Sequence, residues 1–130
     1  VYQRLTGVSA PPPTRRWTPA SEGILDFCRL EGVQVQAWSP LRHKLPGAYQ
    51  PHTNFAALDA ALATIADALG TQPAAVALAW LLKHPAGIVP IMSTSSPEHL
   101  AENAQAASLS FSDEDWYALL RESVRAVETR

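Results

Sequence analysis

The chain has 130 residues, of which 47% are hydrophobic and 17% are charged. That balance is apolar enough for a folded domain, and it excludes a disordered tail. Ten Lys and Arg against twelve Asp and Glu leave a net charge of −2, which excludes the strongly basic footprint of nucleic-acid binders. The same charge gives no reason for attraction to an anionic membrane. A single cysteine, Cys28, excludes an internal disulfide, and we expect it to act as a small buried hydrophobic side chain.

The first 19 residues differ from the rest. Val1–Leu5 has the composition of a short strand, and the three prolines Pro11–Pro13 exclude a helix and favour an extended loop over a ligand for a proline-recognising module. No apolar run approaches the ~20 residues of a membrane helix, and the sequence lacks a signal-peptide pattern at Val1. We therefore expect a single cytoplasmic domain over residues 1–130 with an irregular, proline-rich head over 1–19.

From Thr18 onward, helical and extended patterns alternate. Thr18 and Pro19 can start a helix with an apolar stripe that includes Phe27 and Cys28, and Gly32 ends it. Val33–Trp38 alternates apolar and polar residues, which predicts a strand. A proline-rich loop follows.

The second half of the chain contains four predicted helices and one predicted strand. They are a helix capped by Asn54 and closed by Gly70, a helix from Thr71 and Pro73 to Pro85, a buried strand over Ile88–Met92, a helix capped by Ser96, and a helix capped by Ser112. Helices between successive strands predict parallel pairing and an α/β fold. We expect both strands to be largely buried, because a parallel sheet has both faces covered. So small a sheet has open edges, which indicates a piece of a larger closed α/β structure.

Candidate binding residues follow the two predicted strands, at the ends where parallel α/β folds bind ligands. Trp38 offers a flat stacking surface, and Ser39 offers a hydroxyl beside backbone amides. The other segment, Ser93–Ser96, places four hydroxyl side chains before a helix N-terminus. One of them suffices as a helix cap, and the surplus favours an anion site at the positive end of the helix.

Four segments in this order resemble the C-terminal part of an aldo-keto reductase. They are AWSPL (37–41), ALGTQPAAVALAWLLKHP (68–85), GIVPIMSTSSPEHLAEN (87–103) and LSFSDEDWYAL (109–119). The resemblance covers about Ile24 to Arg130 and implies roughly the last three units of a (β/α)8 TIM barrel. It also implies an oxidoreductase that transfers hydride between NADP(H), or NAD(H), and a small carbonyl or alcohol substrate.

The resemblance assigns cofactor contacts by position, and Trp38 matches the aromatic residue that stacks on the nicotinamide. The other expected contacts are Ser39 and Leu41 along the pyrophosphate, Ser93, Thr94, Ser96 and His99 in the phosphate loop, and Glu102 and Asn103 at the adenine. Two positions depart from the family pattern, because Lys or Gly is commoner at Ser93 and Arg is usual at His99. A histidine side chain ordinarily carries a charge only below about pH 6.5, so a preference for NADP over NAD is expected to depend on pH.

The family's catalytic Asp, Tyr, Lys and His lie in the first half of its barrel, and no residue of this chain matches them. The resemblance therefore assigns no catalytic residue, and we expect the chain alone to be inactive as a reductase. The alternative is a non-catalytic nucleotide- or anion-binding half-barrel that dimerises through its open strand edges. A DNA-binding helix-turn-helix around Gly70 is excluded, because its second helix, Pro73–Leu82, has no charged residue.

Overall fold

The computed structural model describes residues 23–38, 40–41, 56–92 and 94–128, with side chains described as far as Arg125. Within those residues it contains five α-helices, one 3₁₀ turn and two short strands. In chain order they are α1 (Ile24–Leu30), β1 (Gln36–Trp38), α2 (Ala56–Leu69), α3 (Pro73–Leu82), β2 (Val89–Ile91), α4 (Pro97–Ala104), the 3₁₀ turn (Gln105–Ala107) and α5 (Asp113–Glu128). The predicted strand Val1–Leu5, the helix starts at Thr18 and Asn54, and the loop after Leu41 lie outside the described residues.

The two strands pair in parallel, as predicted from the helices between them. Gln36 is opposite Val89, Ala37 is opposite Pro90, and Trp38 is opposite Ile91. Both strands are shorter than predicted, and β1 begins at Gln36 rather than Val33 because its ladder extends only as far as β2 does. The carboxyl ends of the strands therefore lie next to each other at one edge of the sheet.

Helix α3 forms the centre of the core. Pro73 lies in its first turn, where a missing N–H costs nothing, and every residue from Ala75 to Leu81 is buried. Such a helix is apolar on all sides because α2, β2 and α4 all pack against it. The sharp turn between α2 and α3 is made at Gly70, whose φ of +63° favours glycine over any other residue.

Two tryptophans join α3 to α5. The rings of Trp80 and Trp116 stack with centroids 5.1 Å apart and planes 5° from parallel. Each indole Nε1–H donates to the other residue's backbone carbonyl, both at 3.0 Å. The pair is therefore tied by stacking and by two reciprocal hydrogen bonds, which fixes α5 against the central helix.

The end of α3 is also fastened to the start of α5. Lys83 Nζ donates to the Phe111 carbonyl and lies 2.7 Å from Asp113 Oδ1. Its positive charge is at the negative end of α3, a favourable position for a cation. These contacts, the tryptophan pair and the packing of α5 against α2 together place the C-terminal helix.

His84 is buried in the turn that leads from α3 to β2. Its Nδ1 accepts a hydrogen bond of 3.0 Å from the backbone N–H of Ala86, so this nitrogen carries no proton. Burial lowers the pKa of the imidazole below its ordinary value, and the nearby Arg29 guanidinium lowers the pKa further, while Asp26 opposes the shift. His84 is thus a structural residue of this turn.

The prediction that both strands are largely buried was wrong. Ala37 is fully buried against the helices, but Trp38 on the opposite face is 55% exposed. Val89 and Ile91 share that open face and are 40% and 37% exposed. The helices of this chain cover one face of the sheet, and the described residues supply no second layer for the other.

Helix α1 also buries less than its predicted stripe implied. Ile24 and Phe27 are 60% and 57% exposed, whereas Leu25 packs against the core. Cys28, expected to be buried, is half-buried and free. The helix ends as predicted, because Gly32 adopts a φ of +65° just after it.

Candidate functional site

The register of the sheet brings the two predicted binding segments together. Trp38 is the last residue of β1 and lies directly opposite Ile91, the last residue of β2. The chain after Ile91 is the segment that carries the hydroxyl residues. One edge of the sheet thus combines an exposed indole with a polar loop that leads into a helix N-terminus.

In the first segment Trp38 is exposed, whereas Pro40 and Leu41 are not. Trp38 is on the open face of the sheet, where its ring is accessible for stacking on a planar ligand. Pro40 is buried, and Leu41 is half-buried and packed against the core. A contact from Leu41 to a pyrophosphate would therefore come from its backbone. Ser39 lies outside the described residues.

The hydroxyls of the second segment build the start of α4. Ser96 caps the helix, because its Oγ accepts a hydrogen bond of 3.2 Å from the backbone N–H of His99. Thr94 Oγ1 accepts a hydrogen bond of 3.2 Å from the backbone N–H of Ser96. Pro97 is the first helical residue and contributes no N–H. Ser93, the fourth predicted hydroxyl, lies outside the described residues.

Glu98 is the residue that the sequence analysis missed. Its Oε2 accepts the hydroxyl proton of Ser96 at a distance of 2.6 Å. That hydrogen bond, together with one from its own backbone N–H, lowers the pKa of the Glu98 carboxyl below its ordinary value. The available signal was an acidic residue in the first helical turn, two positions after a serine cap.

The three remaining predicted contacts lie along α4. His99 and Glu102 are exposed, and Asn103 is half-buried. Asn103 lies at the margin of an apolar pocket of about 170 Å³ between α3, β2 and α4. Spacings of three and four residues place all three side chains on neighbouring positions of one helix face. The structure therefore places Trp38 beside the end of the strand that leads into the Thr94–Ser96 segment, and this helix face follows that segment along the chain.

Two absences hold for the residues that the structure describes. No group of three or more His, Cys, Asp or Glu side chains there is arranged to hold a metal ion. No single helix there has the length and apolarity to cross a membrane, and α2 with α3 meets those criteria only as a pair bent by 94°.

Comparison with known proteins gives the family. The model of the aldo/keto reductase family matches residues 16–122, and the chain belongs to that family. It is 38% identical over 98 residues to a 6-dehydroglucose reductase of Novosphingobium aromaticivorans, covering 75% of this chain and 32% of the relative. It is 34% identical over 95 residues to a pyridoxine 4-dehydrogenase of Escherichia coli, covering 73% of this chain and 30% of the relative.

Solved structures agree with that assignment. A thermostable aldo-keto reductase crystallised with the inhibitor epalrestat superposes with a TM-score of 0.67 at 33% identity, over 80% of this chain and 35% of that one. An aldose reductase from Giardia lamblia gives a TM-score of 0.60 at 31% identity, over 79% of this chain and 33% of that one. The chain thus spans about a third of the length of the relatives it matches. These neighbours imply that its parallel strands belong to a (β/α)8 barrel.

Proposed function

We propose that the chain forms the cofactor-binding C-terminal part of an aldo-keto reductase, roughly the last three units of the barrel. NADP(H) is the proposed cofactor, NAD(H) is accepted in its place, and a small carbonyl compound or its alcohol is the proposed substrate. The observation that carries the proposal is the pairing of Trp38 with Ile91, which puts the indole and the polar loop at one sheet edge. Carboxyl ends of parallel strands are where α/β barrels bind their ligands.

The residues at this edge suit a nicotinamide dinucleotide. When bound, the cofactor supplies the hydride that reduces the substrate's carbonyl carbon. Trp38 stacks on the nicotinamide ring, the backbone at Ser39 and Leu41 lies along the pyrophosphate, and Glu102 and Asn103 contact the adenine. The hydroxyls of Ser93, Thr94 and Ser96, with His99, form the phosphate loop.

The proton donor for carbonyl reduction is not assigned to this chain. General acid catalysis needs a side chain within hydrogen-bond reach of the carbonyl oxygen, and the family places that group in the first half of its barrel. The exposed side chains of Val89 and Ile91 are covered by that half or by a second copy of the chain. Two relatives named as 6-dehydroglucose reductases support a carbonyl compound as the substrate class.

Tryptophan fluorescence tests the proposal. Titration of the complete natural polypeptide that carries this sequence with NADPH is expected to quench emission, and Trp38→Leu is expected to remove part of the quenching and weaken binding about tenfold or more. Phe27→Leu is the matched control, because it makes an aromatic-to-leucine change at a residue of α1 that is 57% exposed. Equal binding by wild type and Trp38→Leu would contradict the proposed site.

A reductase assay distinguishes the isolated chain from the complete natural polypeptide. The isolated 130-residue chain is expected to show no NADPH-dependent reduction of a simple aldehyde, whereas the complete natural polypeptide reduces one. Reduction by the isolated chain would mean that it contains a proton donor that the family pattern does not predict.

A further inference from the structure

The first turn of α4 holds a carboxylate where a cofactor phosphate is expected. Ser96 has one hydroxyl proton, and it donates that proton to Glu98 Oε2 at 2.6 Å. The oxygen of Ser96 also accepts a hydrogen bond from the His99 N–H, so this hydroxyl already acts both as a donor and as an acceptor. Pro97 has no N–H to offer. The Ser96 hydroxyl proton, which could bind an anion at this helix start, is therefore already donated to the protein's own carboxylate.

The charge of α4 adds to this effect. The helix carries two carboxylates, Glu98 and Glu102, and its sequence contains no lysine or arginine. Glu98 is exposed and stays ionised at neutral pH, because its hydrogen bonds favour the charged form. An incoming phosphate must displace this carboxylate and then remain close to its negative charge.

This cost differs between the two nicotinamide cofactors. NADP carries a phosphate on the adenosine ribose with a charge of about −1.5 to −2 at pH 7, and NAD has a neutral hydroxyl at the same place. We infer that Glu98 is a specificity-determining residue that weakens the binding of NADP relative to NAD by occupying the anion position at the start of α4. The inference rests on the proposed function, which places the adenosine end of the cofactor on the 94–103 segment.

A pair of small probes isolates this end of the cofactor. Adenosine 2′,5′-bisphosphate and adenosine 5′-monophosphate differ only by the 2′-phosphate, and isothermal titration calorimetry gives the affinity of the complete natural polypeptide for each. Glu98→Gln keeps the size of the side chain and its hydrogen bond to Ser96 but removes the charge. The ratio of the two affinities is expected to shift about fivefold in favour of the bisphosphate, the upper range for a solvent-exposed charge pair.

Salt and a control variant check the cause. The shift is expected to shrink in 1 M NaCl, where the screening length is about 3 Å. Glu114→Gln removes the same charge from an exposed position in the first turn of α5 and is expected to leave the ratio unchanged. An equal shift in Glu114→Gln would mean that net charge is the cause, and it would overturn the role of Glu98.

Other outcomes have distinct meanings. An unchanged ratio in both Glu98→Gln and Glu98→Ala, in variants whose thermal unfolding shows them to be folded, overturns the inference and leaves the proposed function standing. If neither probe binds the wild-type protein, the proposed function itself fails, and the inference fails with it.

Discussion

The tryptophan pair between α3 and α5 gives the sharpest test of the packing. Trp80→Phe removes the Nε1–H that donates to the Trp116 carbonyl at 3.0 Å, a hydrogen bond worth about 1 kcal/mol net. Trp80 is fully buried, so the smaller ring also leaves a cavity worth roughly 1–2 kcal/mol. The expected loss in the free energy of unfolding is therefore about 2–3 kcal/mol.

The reciprocal contact makes a double-mutant cycle informative. Trp116→Phe removes the hydrogen bond to the Trp80 carbonyl and is expected to cost about 1–2 kcal/mol, because Trp116 is only half-buried. The two rings are in contact, so the costs are expected to depart from additivity by 0.5 kcal/mol or more, on the scale typical of residues in contact. Urea unfolding of the wild type, both single variants and the double variant measures each quantity.

Trp38→Phe is the matched control for the cycle. It makes the same chemical change at a tryptophan that is 55% exposed, and it is expected to change the free energy of unfolding by less than about 0.5 kcal/mol. A cost below 0.5 kcal/mol for Trp80→Phe, or strictly additive effects, would refute the view that this pair fastens α5 to the core.

Three further predictions concern the turn before β2, the start of α5 and the phosphate loop. The pKa of His84 is lowered in the folded protein, so the unfolded chain binds more protons and the free energy of unfolding falls as the pH drops below about 6.5. His84→Asn keeps an acceptor for the Ala86 N–H. In urea titrations, this variant is expected to lose less stability than the wild type between pH 7.5 and 5.5. Ser112→Ala removes the helix cap whose Oγ accepts a hydrogen bond from the Asp115 N–H, and it is expected to lower the free energy of unfolding by about 1 kcal/mol. Equal stability of the variant and the wild type would contradict this prediction. His99→Arg is expected to tighten NADP binding at pH 8 by about 1 kcal/mol or more, and unchanged affinity in calorimetry would mean that this side chain does not face the phosphate.

Local chemistry made the helices predictable from the sequence. Pro73 and Pro97 occur in the first turns of α3 and α4, and Ser96 caps the latter, because each of these effects depends on residues within one turn. Gly70 ends α2 for the same kind of reason, since only its own backbone must adopt a positive φ. Parallel pairing of the strands also followed, because it depends on the order of the elements and not on their contacts.

Features that depend on distant partners were not predictable. The Trp80–Trp116 contact joins residues 36 positions apart, and neither sequence environment signals the other. The open face at Trp38 was missed because burial of a strand face depends on what covers it. At the candidate site, counting hydroxyls predicted an anion-binding loop but could not reveal that the Ser96 proton is donated to Glu98.

Hydrogen–deuterium exchange with and without cofactor tests most directly whether this sheet edge binds a nicotinamide dinucleotide. Saturating NADPH is expected to protect backbone amides in two segments, 36–41 at the end of β1 and 92–103 from the end of β2 through α4. Amides in the middle of α5 are expected to exchange at the same rate in both samples, because that helix packs on α2 and α3. Protection confined to α2 or α5, or no protection of either segment at a concentration where calorimetry shows saturation, would contradict the assignment of the cofactor to this edge.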